Sequence, residues 1–342
     1  MFINPSKLLF FFTLNFGMLI TISANSWLGA WMGLEINLLS FIPLMMDTNN
    51  LMSTEASLKY FLTQALASAV LLFSIIIFMI KTNMTSFFMF KFEWIILIIN
   101  SCLVMKMGAA PFHFWFPSVM EGLNWMKSLI LLTIQKLAPL VILSHSFNYH
   151  FIIFIIIFSA LMGSLGGLNQ ISLRKIMAFS SINHLAWMLS ALLLSETLWI
   201  LYFFLYSCLS IILILLFNIF KIFYLTQMFT LFNNHPLIKF SLFSALLSLG
   251  GLPPFLGFIP KWLVIQSLIY SNLSFLMIYL IFLSLITLYF YLRIFFSTSL
   301  MNYNEMSWNF KIFNKKKYFF IAISNFFSLM GLFFIFFIYL IV

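Results

Sequence analysis

The chain has 342 residues, 64% of them hydrophobic, 20% aromatic and only 7% charged, with a formal net charge of +10. So little polar surface excludes a soluble globular domain of this length. The basic residues do not form the patch interleaved with polar recognition groups that a nucleic-acid binder needs, so no nucleic-acid partner is expected. They punctuate the ends of apolar runs instead, and the bilayer is the solvent the composition fits.

A spanning helix takes about 20 apolar residues, because lipid leaves each backbone polar group to be satisfied within its own segment. On that rule the sequence predicts an all-α, polytopic membrane protein of about eleven transmembrane helices. They fall at 7–23, 27–45, 56–80, 92–108, 125–144, 151–169, 176–194, 198–221, 238–269, 274–296 and 318–341. The chain reads as one membrane domain, 1–342, with approximate repeats 7–144 and 151–296 and a C-terminal lateral helix at 318–341. Met1 to Phe12 lacks the Arg- and Ser-rich pattern of a transit peptide, so the first apolar run is expected to be retained.

The second predicted helix holds Glu35 about 12 Å from its start at 1.5 Å per residue, too deep for a short carboxylate to reach either surface. The fourth carries Cys102 and then Lys106, two residues ahead of Gly108. The fifth holds Lys136, about 16 Å along it. Gly163, Gly166 and Gly167 give the sixth a small-residue face suited to close helix packing. The seventh holds His184 and the eighth Cys208, and both cysteines read as small buried hydrophobes. In the ninth, Lys261 directly follows Pro260. The longest stretch without a helix runs from about Ser297 to Lys317.

A charge at the bilayer centre costs about 2.5 to 3.5 kcal/mol unless it is paired or hydrated, so each of these residues needs a reason. Glu35, Lys106, Lys136 and Lys261 are the candidates for proton translocation, with His113 and His184 in support. A lysine that snorkels its stem to an interface is the structural alternative, as is a histidine that merely packs. Burial and a nearby carboxylate move a lysine's proton affinity in opposite directions, which is what a relay requires.

Two patterns organise the elements. Placing alternate helix ends on two sides puts Lys7, Lys59, Lys127, Arg174, Lys175, Lys221, Lys239, Arg293, Lys311 and Lys315 to Lys317 together, with only Lys81 and Lys91 opposite. By the positive-inside rule the N-terminus then faces the positive side and the C-terminus the other. The segment Gly108-Ala-Ala-Pro-Phe-His-Phe-Trp-Phe-Pro117 also lies over Gly251-Leu-Pro-Pro-Phe-Leu-Gly-Phe-Ile-Pro260, sharing Gly, Pro, Phe and Pro at one spacing. The copies fall five helices apart, so the second enters the membrane inverted. An inverted repeat of five-helix units with two Gly/Pro-broken helices points to a transporter with its ion path between the halves. No G-x-G-x-x-G after a strand, P-loop or C-x-x-C cluster is present, so nucleotide, flavin and iron–sulfur chemistry have no home in this chain.

The segments Gly29-Ala-Trp-Met-Gly-Leu-Glu35-Ile-Asn, Ser53-Thr-Glu-Ala-Ser-Leu-Lys-Tyr-Phe-Leu-Thr-Gln64, Lys106-Met-Gly-Ala-Ala-Pro-Phe-His-Phe-Trp115, Gly167-Leu-Asn-Gln-Ile-Ser-Leu-Arg-Lys175 and Leu249-Gly-Gly-Leu-Pro-Pro254 with Gly257-Phe-Ile-Pro-Lys-Trp262 closely resemble the antiporter-like subunits of mitochondrial respiratory complex I in animals. Those subunits are similar in turn to components of multi-subunit sodium/proton antiporters. The resemblance covers about residues 25 to 296. It implies a proton-translocating core subunit of NADH:ubiquinone reductase in the inner mitochondrial membrane, with the N-terminus in the matrix and the C-terminus in the intermembrane space. It also implies that Glu35 pairs with Lys106, that Lys136 is the central lysine and that Lys261 is the terminal one. NADH, FMN, iron–sulfur clusters and ubiquinone would be bound by partner subunits, with none in this chain. Its partners would be other membrane-arm subunits, further antiporter-like subunits among them, and membrane lipids. The bacterial relatives have three more N-terminal helices. A free-standing cation/proton antiporter and a purely architectural subunit are the rival readings.

Overall fold

The computed structural model describes residues 5–47, 50–82, 93–232 and 236–300, together with 322, 325, 326 and 328–330. Among these residues the regular elements are all helices, and Ser172 and Tyr224 form an isolated bridge. Most of the lateral helix expected at 318–341, with Lys91, Lys311 and Lys315 to Lys317, lies outside them. Among the described residues, seven helices are long and apolar enough to cross a membrane. The chain divides into two compact units, Met1–Ser159 and Ala160–Val342.

The first unit contains α1 (Pro5–Ser23), α2 (Trp27–Met45), α3 (Leu51–Thr82), α4 (Glu93–Met107), α5 (Trp115–Gly122), α6 (Trp125–Leu132), α7 (Ile134–His145) and the first part of α8 (Tyr149–Leu165). Here α3 is the organiser, packing against α2, α4 and α5. It buries Ser53, Ser57, Tyr60, Gln64, Ser68, Leu71 and Ser74, a stripe at the three-and-four spacing of one helix face. With Ala56, Ala67, Ile75 and Phe78 on the same buried face, the stripe is mixed, its hydroxyls and amide facing an interior that holds charge.

Two departures from the sequence reading lie in this unit. The aromatic segment after Gly108 forms a second helical piece, α5. The helix expected over 125–144 is interrupted at Thr133 (φ −112°, ψ −76°), giving α6 and α7. Pro139 accounts for part of this: it has no N–H, and its ring crowds the carbonyl of Gln135, so the turn around Lys136 lacks a helical bond.

The second unit contains the rest of α8, α9 (Leu173–Leu194), α10 (Glu196–Phe220), α11 (Leu225–Phe232), α12 (Pro236–Gly250), α13 (Phe258–Tyr270) and α14 (Ser274–Leu300). Almost every residue of α9 is buried, which makes it the core helix, enclosed by α10, α13 and α14. It brings Ser180, Ser181, Asn183, His184 and Trp187 into the interior. The helix expected over 238–269 is divided by the Gly251 segment into α12 and α13, and the short α11 was not expected. The glycines of the 163–167 segment do pack closely: a Cβ on Gly163 would lie 2.5 Å from the backbone nitrogen of Asn183.

Candidate functional site

Both helix breaks are built on one backbone pattern. Gly108 has φ +74° and Gly251 φ +80°, the left-handed region that favours glycine. The Gly108 N–H donates to Val104 and Met105 carbonyls, and Ala109 N–H also reaches Val104. The Gly251 N–H donates to Leu247 and Ser248, and Leu252 N–H also reaches Leu247. The two copies of the motif thus end their helices in the same register, with orphan carbonyls capped locally.

The lysines flank these breaks on opposite sides. Lys106, 7% exposed, sits in the last turn of α4, where an ammonium is favoured by the negative end of the helix. Gln64 Nε2 donates to the Lys106 carbonyl at 3.5 Å, and Trp115 Nε1 to the Met105 carbonyl at 3.0 Å. Lys261, 5% exposed, lies beyond its break on α13 and reaches back to donate from Nζ to the Gly250 carbonyl at 2.8 Å. Its ammonium also stands 5.9 Å from the Trp187 ring centre.

Glu35 lies on α2, half-buried, with Oε2 buried and no hydrogen-bond partner for that oxygen among the described residues. It acts electrostatically on both Lys106 and Tyr60, without a direct ion pair to Lys106. Tyr60 is buried against Phe41 and Trp115, and its hydroxyl donates to Gln135 Oε1 at 3.3 Å. Gln135 precedes Lys136, which is 1% exposed and sits 5.0 Å from the centre of the Phe116 ring. The first unit therefore gathers Glu35, Tyr60, Lys106, Gln135 and Lys136 around one break. Tyr60 and Gln135 escaped the sequence reading because neutral side chains carry no burial cost large enough to single them out.

The histidines are buried as well. The carbonyl of Pro111 can only accept, so the 3.3 Å contact with His113 Nδ1 puts the proton on that nitrogen. His184 Nδ1 hydrogen-bonds the Tyr202 hydroxyl at 3.0 Å, and its ring lies 5.0 Å from that of Tyr206. His184 and Lys261 belong to the second unit, while Glu35, Lys106, His113 and Lys136 belong to the first.

Lys127, read from sequence as a helix-end topology marker, is buried and donates to the Met45 carbonyl at 3.0 Å and to Asp47. Asn124 and Lys7 also donate to Asp47, at 3.0 and 3.3 Å. Burial pushes the Asp47 carboxyl up, but Lys127 and Lys7 outweigh it and hold the group below its ordinary value. A depressed carboxylate contributes stability above its unfolded value, about 3.9, and loses it as pH falls through the lower folded value. The difference in thermal stability between the protein and Asp47→Asn is therefore expected to be constant above about pH 5 and to shrink below about pH 4. A difference that shrank with rising pH would contradict this cluster.

No group of three or more His, Cys, Asp or Glu is gathered as a metal site among the described residues, and the two cysteines lie on α4 and α10. A family model described as "NADH:quinone oxidoreductase/Mrp antiporter, TM" matches residues 24–287, and one described as "NADH dehydrogenase subunit 2 C-terminus" matches 288–339. The chain is 56% identical over 338 residues to NADH-ubiquinone oxidoreductase chain 2 of Anopheles gambiae, covering 98% of each chain. It is 41% identical over 307 residues to the protein of that name from Lemur catta, covering 87% of this chain and 88% of the other. In fold it is similar to a chain of respiratory complex I from Thermus thermophilus, with a TM-score of 0.83 at 23% identity over 96% of this chain and 78% of that one. A chain of the Mrp complex from Dietzia matches with a TM-score of 0.73 at 18% identity, over 82% of this chain and 58% of that one.

Proposed function

We propose that this chain, which belongs to the NADH:quinone oxidoreductase/Mrp antiporter transmembrane family, moves protons through its buried charges. It is an antiporter-like, proton-translocating membrane subunit of respiratory complex I, the NADH:ubiquinone reductase, and a multi-pass protein of the inner mitochondrial membrane. Its N-terminus faces the matrix and its C-terminus the intermembrane space, as the distribution of lysine and arginine suggests. NADH oxidation and quinone reduction take place in partner subunits that hold FMN, iron–sulfur clusters and ubiquinone. Other membrane-arm subunits, antiporter-like ones included, adjoin it.

The observation that carries this reading is the gathering of Glu35, Tyr60, Lys106, Gln135 and Lys136 around the Gly108 break. Glu35 sets the electrostatic bias on Lys106, and loss of a proton at one group changes the stability of charge at the next. Tyr60 and Gln135 supply a hydrogen-bonded bridge toward Lys136. Glu35 Oε2 and Gln135 Nε2 are buried with no hydrogen-bond partner among the described residues, which suits a relay that takes water between these groups. Lys261 is the terminal lysine, beside the second break. His113 and His184 lend proton-accepting capacity. A freely working antiporter is the weaker alternative, because residues 288–339 match a family model specific to NADH dehydrogenase.

The test is Glu35→Gln, with Tyr60→Phe beside it, in the assembled complex. Proton transfer through this subunit is expected to slow about fivefold to tenfold for Glu35→Gln, the size of a coupling energy of about 1 to 1.4 kcal/mol, and NADH-driven translocation in vesicles to fall by up to the share this subunit carries. A smaller loss is expected for Tyr60→Phe, which keeps the ring contacts. Unchanged translocation in a normally assembled Glu35→Gln complex would reject the relay in favour of an architectural role.

A further inference from the structure

One end of the second unit carries a cavity that the proton path does not use. The loop after α8, the start of α9, the end of α10 and the start of α11 meet there. Leu173 N–H donates to the Phe223 carbonyl at 3.0 Å and Leu225 N–H to the Ile171 carbonyl at 3.2 Å, beside the Ser172–Tyr224 bridge. The last turns of α14 reach the same level, where the Arg293 guanidinium donates to the Leu168 carbonyl. Between these pieces lies an open cavity of about 490 Å³. Asn169, Gln170, Arg293 and Ser297 give it a polar side, and Ile171 and Leu225 line its apolar side.

Charge at this end is one-sided. It holds Arg174, Lys175, Lys221 and Arg293, and Lys239 shares a smaller neighbouring cavity with Ile294. The one carboxylate among the described residues of this unit is Glu196, at the opposite end of α10 from Lys221. Ile171 is 66% exposed at the rim. The cavity opens where the candidate span Ser274–Ser297 ends.

We propose that this cavity binds an anionic membrane phospholipid. Guanidinium and phosphate match in charge and in planar hydrogen-bond geometry, and Asn169, Gln170 and Ser297 add neutral polar contacts. Ile171 and Leu225 continue the site into an acyl-chain track. Basic pockets between transmembrane helices favour acidic headgroups for these reasons. The joined polar and apolar halves select a lipid over free phosphate, which would leave the apolar half uncovered.

The experiment uses the intact complex in mild detergent, with photoactivatable phosphatidylglycerol and phosphatidylcholine probes and mass-spectrometric mapping of labelled peptides. The phosphatidylglycerol probe is expected to label residues around 169–171, 225 or 294–297, at least fivefold more than the phosphatidylcholine probe. Unlabelled phosphatidylglycerol should suppress that labelling and millimolar inorganic phosphate should not. Labelling should drop severalfold in Arg293→Gln and persist in Arg293→Lys. Absence of labelling at this cavity in the wild-type complex, equal labelling by both probes, or full competition by inorganic phosphate would overturn the proposal. These readouts do not depend on proton translocation, and the wild-type mapping decides the matter even where a variant fails to assemble.

Discussion

Replacing Lys136 by methionine in the assembled complex is expected to slow proton transfer through this subunit by about a hundredfold, the lower edge of what a positioned proton-transfer group contributes. NADH-driven translocation then falls by the share this subunit carries. The expectation rests on position: Lys136 is 1% exposed, follows the Gln135 that Tyr60 bonds, and sits one turn beyond the interruption at Thr133. Methionine keeps the unbranched bulk and a favourable sulfur contact with the Phe116 ring, but it has no proton to pass. Methionine also removes the cost of keeping an ammonium out of water, so the complex should still assemble. Lost translocation in an assembled complex is thus the expected result. A merely structural lysine would instead show lost stability with intact translocation, and that outcome would sink the assignment.

The second large effect lies across the other break, where three glycines are expected to respond in graded fashion. A Cβ on Gly250 would lie 3.4 Å from the Tyr291 ring, an ordinary contact, so Gly250→Ala should change little. At Gly251, φ +80° and a Cβ 2.9 Å from Lys261 Cδ combine strain with displacement of the lysine. The backbone conformation alone costs about 1 to 2 kcal/mol, and translocation should fall with it. At Gly257 a Cβ would stand 1.7 Å from the Ser248 carbonyl oxygen, and nothing short of a backbone shift relieves that. Overpacking typically costs about 1 to 3 kcal/mol where side chains can give, so Gly257→Ala should exceed that and prevent assembly. Native gels and thermal unfolding of the three complexes give the ranking. A Gly257→Ala complex as abundant as wild type would show that the break is not packed as described.

What the sequence made legible follows from the size of the physical signal. Glu35, Lys106, Lys136 and Lys261 stood out because a charge in an apolar run is costly and rare, and all three lysines are buried in the structure. The breaks at Gly108 and Gly251 were readable because glycine and proline both abandon helical geometry there. The interruption at Thr133 was not, since threonine is tolerated in helices and Pro139 lay inside an otherwise continuous apolar stretch. The helix from Trp115 to Gly122 hid in aromatic residues that looked like a loop. Tyr60, Gln135 and Tyr202 gave no signal because a hydroxyl or amide is an ordinary helix resident until its partner is known. The pairing of Lys127 with Asp47 gave no signal for a related reason: the two lie 80 residues apart in the chain, and no local pattern connects them.

If Lys261 is a relay group as proposed, its bond to the Gly250 carbonyl makes the backbone at the second break a party to the chemistry. A hydrogen bond from an ammonium is roughly twice as strong as one from a neutral donor, so the clasp that closes α12 tightens when the lysine holds its proton and slackens when the proton leaves. Charge occupancy is thereby written into the tension of a helix end. On the proposed relay, a single proton leaving Lys261 would loosen the joint at Gly251 and so convert an electrical event into a mechanical one.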